Sequence, residues 1–256
     1  SGTRAAERAL LLGATQLYTE GKYAEAAAKF DAFIAEAPDH PFASTALLGK
    51  AAALSAGFSH AGQSCISTQR IYVHRSIEAD FTARLAEKVG QLVVGDPRDE
   101  ATDVSSLISP SETERVASWI QRAVEAGASV AVGGQTRGRL LDPTVLTGVQ
   151  PDMEVSCKEV FGPLVGVAAF DDLDDALARA NDTDYGLQAA IFTAHLDGAL
   201  RAAYELDFGG VLVNEVPTFR TDQMPYGGVR GLRQTKEGPH RAVQGMTGER
   251  VGISQR

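Results

Sequence analysis

The sequence has 256 residues, 44% of them hydrophobic, with 33 acidic against 24 basic side chains and a net charge of −9; this composition suits a globular chain with a sizeable core and excludes a disordered one. The acidic balance argues against a nucleic-acid surface, which needs a basic face, and no apolar run nears the ~20 residues that span a bilayer. Two cysteines, Cys65 and Cys157, are too few for a disulfide framework and point to a reducing, cytoplasmic compartment.

The opening stretch, to about residue 57, is rich in Ala, Leu, Glu and Lys and reads as helix throughout. Arg4, Glu7 and Arg8 leave no secretory apolar core there. Residues 4–19 carry Ala6, Leu10, Gly13, Ala14 and Leu17 near one face, and residues 23–36 carry Ala26, Ala27, Phe30, Phe33 and Ile34 at three–four spacing. Gly21 punctuates between the two runs, and Pro38 and Pro41 close the second, because proline cannot continue a helix. A third run, residues 42–55, ends at Gly57. Gly21-Lys22-Tyr23 followed by Ala26, Phe30 and Pro38 resembles a tetratricopeptide repeat, with residues 46–53 as the first helix of a second. Such stacks need ~3 repeats to bury their faces. These helices are therefore expected to lean on the rest of the chain.

Beyond residue 57 short apolar strands alternate with helices. Ile71-Tyr72-Val73 predicts a strand, residues 77–94 a helix, and Gly95-Asp96-Pro97 a turn. Residues 111–126 predict a helix, signalled by Pro110 and by a capping box of Ser111 with Glu114. Strands are expected at 129–132, 143–146, 164–170, 189–192 and 210–214, and helices at 173–181 and 196–206. The acidic run around Asp172 reads as a helix start, with acid beside the positive end of the helix dipole. The alternation predicts an α/β fold with a mostly parallel sheet covered on both faces.

Cys65 is the first candidate for chemistry. It stands in Gly62-Gln63-Ser64-Cys65, a glycine-flanked loop after a helical run. A thiol there can approach a carbonyl, and backbone N–H groups can hold the oxyanion that forms. By residue type alone, a lone cysteine is more often a small buried hydrophobe; Cys157, apolar-flanked on one side only, reads as structural. His60 precedes the loop and reads as a bystander. His40, His74, His195 and His240 are dispersed and suggest no metal site. The glycines from Gly57 to Gly62 lack the Lys-Ser/Thr of a phosphate loop.

The surroundings narrow the reading. Phe58-Ser59-His60-Ala61-Gly62-Gln63-Ser64-Cys65-Ile66-Ser67-Thr68-Gln69-Arg70 resembles the nucleophile motif of the aldehyde dehydrogenase superfamily. Leu141-Asp142-Pro143-Thr144-Val145-Leu146 resembles its Pro-Thr-Val strand, and Cys157-Lys158-Glu159-Val160-Phe161-Gly162-Pro163 its Glu-x-Phe-Gly-Pro motif. Ala180-Asn181 with Tyr185-Gly186-Leu187, and Met224-Pro225-Tyr226-Gly227-Gly228-Val229-Arg230, follow in the family's order; Val213-Asn214 and Val216-Pro217-Thr218-Phe219 also fit. The resemblance implies that Cys65 is the nucleophile that attacks the aldehyde and forms a thiohemiacetal, its own N–H being half of the oxyanion hole. It implies that Glu159 holds the nicotinamide ribose of NAD or NADP and that Phe161 packs beside the nicotinamide. It implies that Phe219 shapes the entrance for a small aldehyde. By residue type alone, Glu159 also fits a solvated acid, Phe161 plain core, and Phe219 core or interface.

The family pattern includes four parts upstream of the nucleophile: a Rossmann-like coenzyme domain, an Asn amide that completes the oxyanion hole, a Lys for the adenine ribose, and a general-base Glu in Glu-Leu-Gly-Gly. Only 64 residues precede Cys65, they read as helix, and Glu-Leu-Gly-Gly occurs nowhere. Gly231-Leu232-Arg233 replaces the usual Ser-Gly pair, and Gly245 and Gly248 stand where helix or strand residues are commoner. The expectation is a helical segment, residues 1–56, joined to an aldehyde dehydrogenase-like catalytic domain, residues 57–256, without a coenzyme domain. This reads as a truncated or chimeric chain that binds NAD or NADP weakly. Losing one oxyanion donor costs ~10²–10³ in rate and losing the base ~10²–10⁴, so oxidation by this chain alone is expected to be negligible, while a thiol esterase reaction stays open. One alternative takes the coenzyme site from another chain. Another is a structural or interaction module whose repeat-like helices bind a protein partner or self-associate.

Overall fold

The computed structural model describes residues 56–232 and 236–248. The repeat-like helices expected before residue 56, and the boundary proposed beside them, lie outside the described residues. In chain order, β1 (Arg70–His74) leads through a short 3-10 turn into α1 (Glu78–Val89). The sequence pattern carried this helix to residue 94, but it stops at Val89. The reason is local pairing: Asp103 Oδ2 accepts from Val93 N at 2.8 Å, and Val94 pairs with Val104 as an isolated bridge. The later loop thus supplies the backbone partners that a continued helix would have supplied from within.

α2 (Pro110–Glu125) buries Thr113, Val116, Ile120 and Ala123, one helical stripe. Its cap is Ser109, whose side chain accepts from Glu112 N at 3.2 Å, with Pro110 in the first turn. The capping box expected at Ser111 is thus two residues late; the hydroxyl of Ser111 bonds that of Ser109 instead, at 2.8 Å. Proline at the first helical position is the better signal, since its missing N–H has no helical partner to lose.

β2 (Ser129–Val132), the hairpin of β3 (Thr136–Arg137) and β4 (Leu140–Leu141), β5 (Thr144–Thr147), the single turn α3 (Glu154–Cys157) and β6 (Leu164–Phe170) follow. The main sheet has the order β1-β6-β5-β2. β6 runs parallel to both β1 and β5, and β2 is antiparallel at the edge. Leu164, Val165, Gly166 and Val167 are buried in succession, as befits a strand covered on both faces. Leu85 and Val89 of α1, Val116 and Ile120 of α2, and Val145, Leu146 and Val165 of the sheet belong to one core.

α4 (Leu173–Asn181) begins where the acidic run predicted: Asp172 caps it by accepting from Asp175 N at 2.8 Å. β7 (Gln188–Ile191), α5 (Leu196–Glu205) and β8 (Gly210–Val213) come next, and α6 (Pro239–Met246) ends the described chain. β7 and β8 pair parallel with each other but not with the main sheet. The expectation of one mostly parallel sheet is corrected to this extent: the parallel strands fall into a four-stranded sheet with an antiparallel edge and a separate pair. The pair has its own core of Leu177, Ala202 and Leu206.

Candidate active site

The loop that delivers Cys65 is shaped by a run of left-handed backbone. His60, Ala61 and Gly62 have φ of 53°, 56° and 68°. A side chain at Gly62 would place its Cβ 2.0 Å from the carbonyl oxygen of Gly162, so only glycine fits both the dihedral and the space. That contact seats the Cys65 loop directly on the segment that carries Glu159 and Phe161. The far end of the loop is tied back by Thr68 N, which donates to Ala56 O at 2.9 Å, and by Ser67 Oγ, which donates to the same oxygen at 3.0 Å.

Gln69 completes the seating. Its Nε2 donates to Val155 O at 2.9 Å and to Lys158 O at 2.7 Å, while its Oε1 accepts from Val160 N at 2.9 Å. One amide thus satisfies three backbone groups around Glu159 and fixes that segment relative to β1.

The Cys65 thiol is exposed, and its sulfur lies 3.0 Å from the hydroxyl oxygen of Tyr226. Tyr226 is 8% exposed. Burial above all, then the bond to Cys65, pushes its phenol well above the ordinary range, so the O–H stays protonated and can donate to the sulfur. The Arg220 guanidinium covers the same ring, 4.3 Å from its centroid, and sits 3.6 Å from Glu237. The backbones of Tyr226 and Glu237 pair as an antiparallel bridge.

The glycine-rich loop after Tyr226 explains how that ring is aimed. A Cβ on Gly209 would meet the Gly227 carbonyl at 1.7 Å, so the loop packs backbone to backbone against the start of β8. Val229 N donates to Gly186 O at 3.0 Å. Lys236 Nζ donates to Gly227 O at 2.9 Å and to Gly209 O at 3.3 Å. Asn181 bridges α4 to the end of α5, donating to Glu205 O at 2.7 Å and accepting from Asp207 N at 2.9 Å. Much of what the sequence motifs encode in residues 180–187 and 224–230 is therefore scaffolding for the Tyr226 loop.

Glu159 is exposed and makes no hydrogen bond or ion pair among the described residues. The protein atoms beside it still desolvate the carboxyl enough to raise it above the usual carboxylate range. Phe161 follows with a left-handed φ of 48° and is 40% exposed. Phe219, 44% exposed, lies on the Tyr226 loop, but the residue hydrogen-bonded to the thiol is Tyr226, seven positions further on. Cys157, expected to be structural, is exposed at the end of α3. α3 is a single turn whose buried side chain is Val155.

The sequence reading gave no role to Tyr226, Arg220, Glu237 or Gln69. Tyr226 and Gln69 stand inside motif segments, which is the signal that was available. What assigns them work is contact across long stretches of chain.

A sequence model of the aldehyde dehydrogenase family matches residues 47–251. The chain is 48% identical over 206 residues to a 3-sulfolactaldehyde dehydrogenase of Priestia aryabhattai, covering 80% of this chain and 43% of that one. Among solved structures it resembles aldehyde dehydrogenase 21 of Physcomitrella patens in complex with the reaction product succinate. That match has TM-score 0.76 and 33% identity, over 82% of this chain and 42% of the other. It also resembles glyceraldehyde-3-phosphate dehydrogenase of Methanocaldococcus jannaschii complexed with NADP. Here the TM-score is 0.75 with 36% identity, over 78% of this chain and 44% of the other. The chain thus spans less than half the length of these relatives.

Proposed function

The chain belongs to the aldehyde dehydrogenase family, and on that premise we propose that residues 57–256 form the nucleophile-bearing part of an enzyme that oxidises a small aldehyde, with Cys65 as the nucleophile. The observation that carries this is the exposed Cys65 thiol, hydrogen-bonded to a protonated Tyr226 on a loop clamped to the Glu159 segment through Gly62 and Gln69. In the reaction the Cys65 thiol gives up its proton to solvent, the sulfur attacks the aldehyde carbon, the S–C bond forms, and the carbonyl π electrons move to oxygen. The Cys65 N–H, which makes no hydrogen bond among the described residues, is placed to hold that oxyanion. Tyr226 O–H supports the sulfur before attack.

Glu159 and Phe161 fit a nicotinamide coenzyme. The carboxylate has both oxygens free of protein partners among the described residues to accept ribose hydroxyls, and the exposed Phe161 ring offers an apolar face beside the base. When bound, NAD or NADP supplies the hydride acceptor; the protein's part is to orient it and exclude water. Phe219 contributes apolar surface to the aldehyde entrance.

Glu-Leu-Gly-Gly does not occur in these 256 residues, and no general base is assigned. These residues by themselves are expected to support thiol ester chemistry but negligible NAD(P) reduction. The test is hydrolysis of p-nitrophenyl acetate by the full chain beside Cys65→Ala. A Cys65-dependent burst without NAD(P) reduction in the presence of an aldehyde supports the reading. Equal hydrolysis by both proteins sinks the nucleophile assignment.

A further inference from the structure

Arg220 is held beside the thiol in an unusual way. Arg70, Arg115, Arg179 and Arg230 bond their guanidinium groups to backbone carbonyls. Arg220 makes no hydrogen bond among the described residues. Its one ionic neighbour among them, Glu237, is 3.6 Å away, longer than a hydrogen bond. What fixes it is the face of Tyr226, 4.3 Å below. The hydroxyl of that same ring touches the Cys65 sulfur at 3.0 Å. A single phenol therefore separates a planar fork of uncommitted N–H donors from the reacting atom. The Arg220 side chain is 42% exposed, so the fork is open to solvent. The chain carries a net charge of −9, and its general field disfavours anions. A cation held here by only a long ion pair and a ring face thus has a local role in attracting one.

Resting on the reading of Cys65 as nucleophile, we propose that Arg220 is the specificity residue of the site and that the aldehyde it accepts carries an oxyanion, such as a carboxylate, sulfonate or phosphate, a few carbons from the carbonyl. The guanidinium fork binds two oxygens of such a group side by side. Glu237 competes weakly for the same fork and keeps it oriented when no substrate is bound.

Iodoacetate and iodoacetamide test this on the full chain without any coenzyme. In each the Cys65 sulfur attacks the methylene carbon, the S–C bond forms, the C–I bond breaks, iodide leaves, and the thiol proton passes to solvent. The two reagents differ chiefly in the carboxylate. Peptide mass spectrometry follows both cysteines, with the exposed Cys157 as the reference in the same molecule. The iodoacetate-to-iodoacetamide rate ratio at Cys65, relative to Cys157, is expected to fall about fivefold in Arg220→Gln, the rate equivalent of a half-exposed ion pair. In Glu237→Gln, which keeps Arg220 and removes its competitor, the ratio is expected to rise. An unchanged ratio in both variants, with Cys65 still alkylated by iodoacetamide, overturns the anion-binding role and leaves the nucleophile reading standing. Failure of either reagent to modify Cys65 ahead of Cys157 overturns both.

Discussion

Two titratable side chains of the candidate site are placed in opposite ways. Tyr226 is buried and bonded, so its phenol keeps its proton and can donate to the sulfur. Glu159 is exposed but partly desolvated and unpartnered, which raises its carboxyl. A carboxyl whose folded value lies above its unfolded one contributes stability that is fully present below the ordinary carboxylate range. That contribution is lost as pH rises through the raised value. Glu159→Gln is therefore expected to melt slightly higher than the native chain at about pH 7, by about 0.5 kcal/mol or less. The gain should disappear near pH 3.5, about one unit below the unperturbed carboxyl, where Glu159 is itself neutral. Thermal melts at the two pH values decide it, and a variant less stable at neutral pH contradicts an unpartnered carboxylate. At this scale the sequence named Cys65 and Glu159 because local motifs mark them. It left Tyr226 and Arg220 without roles because the Cys65–Tyr226 bond joins positions 161 residues apart, and no local pattern encodes such a pairing.

Among the elements, α2 shows why helix ends are harder to read than helix faces. The buried stripe of Thr113, Val116, Ile120 and Ala123 follows directly from periodicity. The cap does not, because Ser109 and Ser111 both satisfy the residue preference and only the turn geometry chooses between them. Ser109→Ala is expected to cost about 1 kcal/mol, and Ser111→Ala less than about 0.5 kcal/mol. Urea unfolding of both variants checks the order, and a larger loss at Ser111 would restore the position expected from sequence. The early end of α1 has the same origin: Val93 and Val94 pair with Asp103 and Val104, partners supplied by a later loop.

Across the molecule, the described chain has two apolar cores. One is built on β5 and β6, where four consecutive residues of β6 are buried; the other is a smaller cluster beneath β7 and β8, whose residues are mostly half-buried. Amides of β5 and β6 are expected to exchange hydrogen last and those of β7 and β8 earlier, because opening the smaller unit exposes less apolar surface. Hydrogen exchange followed by mass spectrometry reads this directly, and equal protection of both sheets would show a single cooperative unit. The sequence alone determined the alternation of strands and helices, the helix start at the acidic run and the candidate nucleophile, since each is written in hydrophobic period, charge beside a helix dipole or a contiguous motif. The separation of β7 and β8 from the main sheet, the seating of the Cys65 loop on Gly162, and the meeting of Cys65, Tyr226 and Arg220 were decided only by tertiary structure. They depend on which distant backbones pack closely enough to exclude a side chain, and hydrophobic period does not specify that.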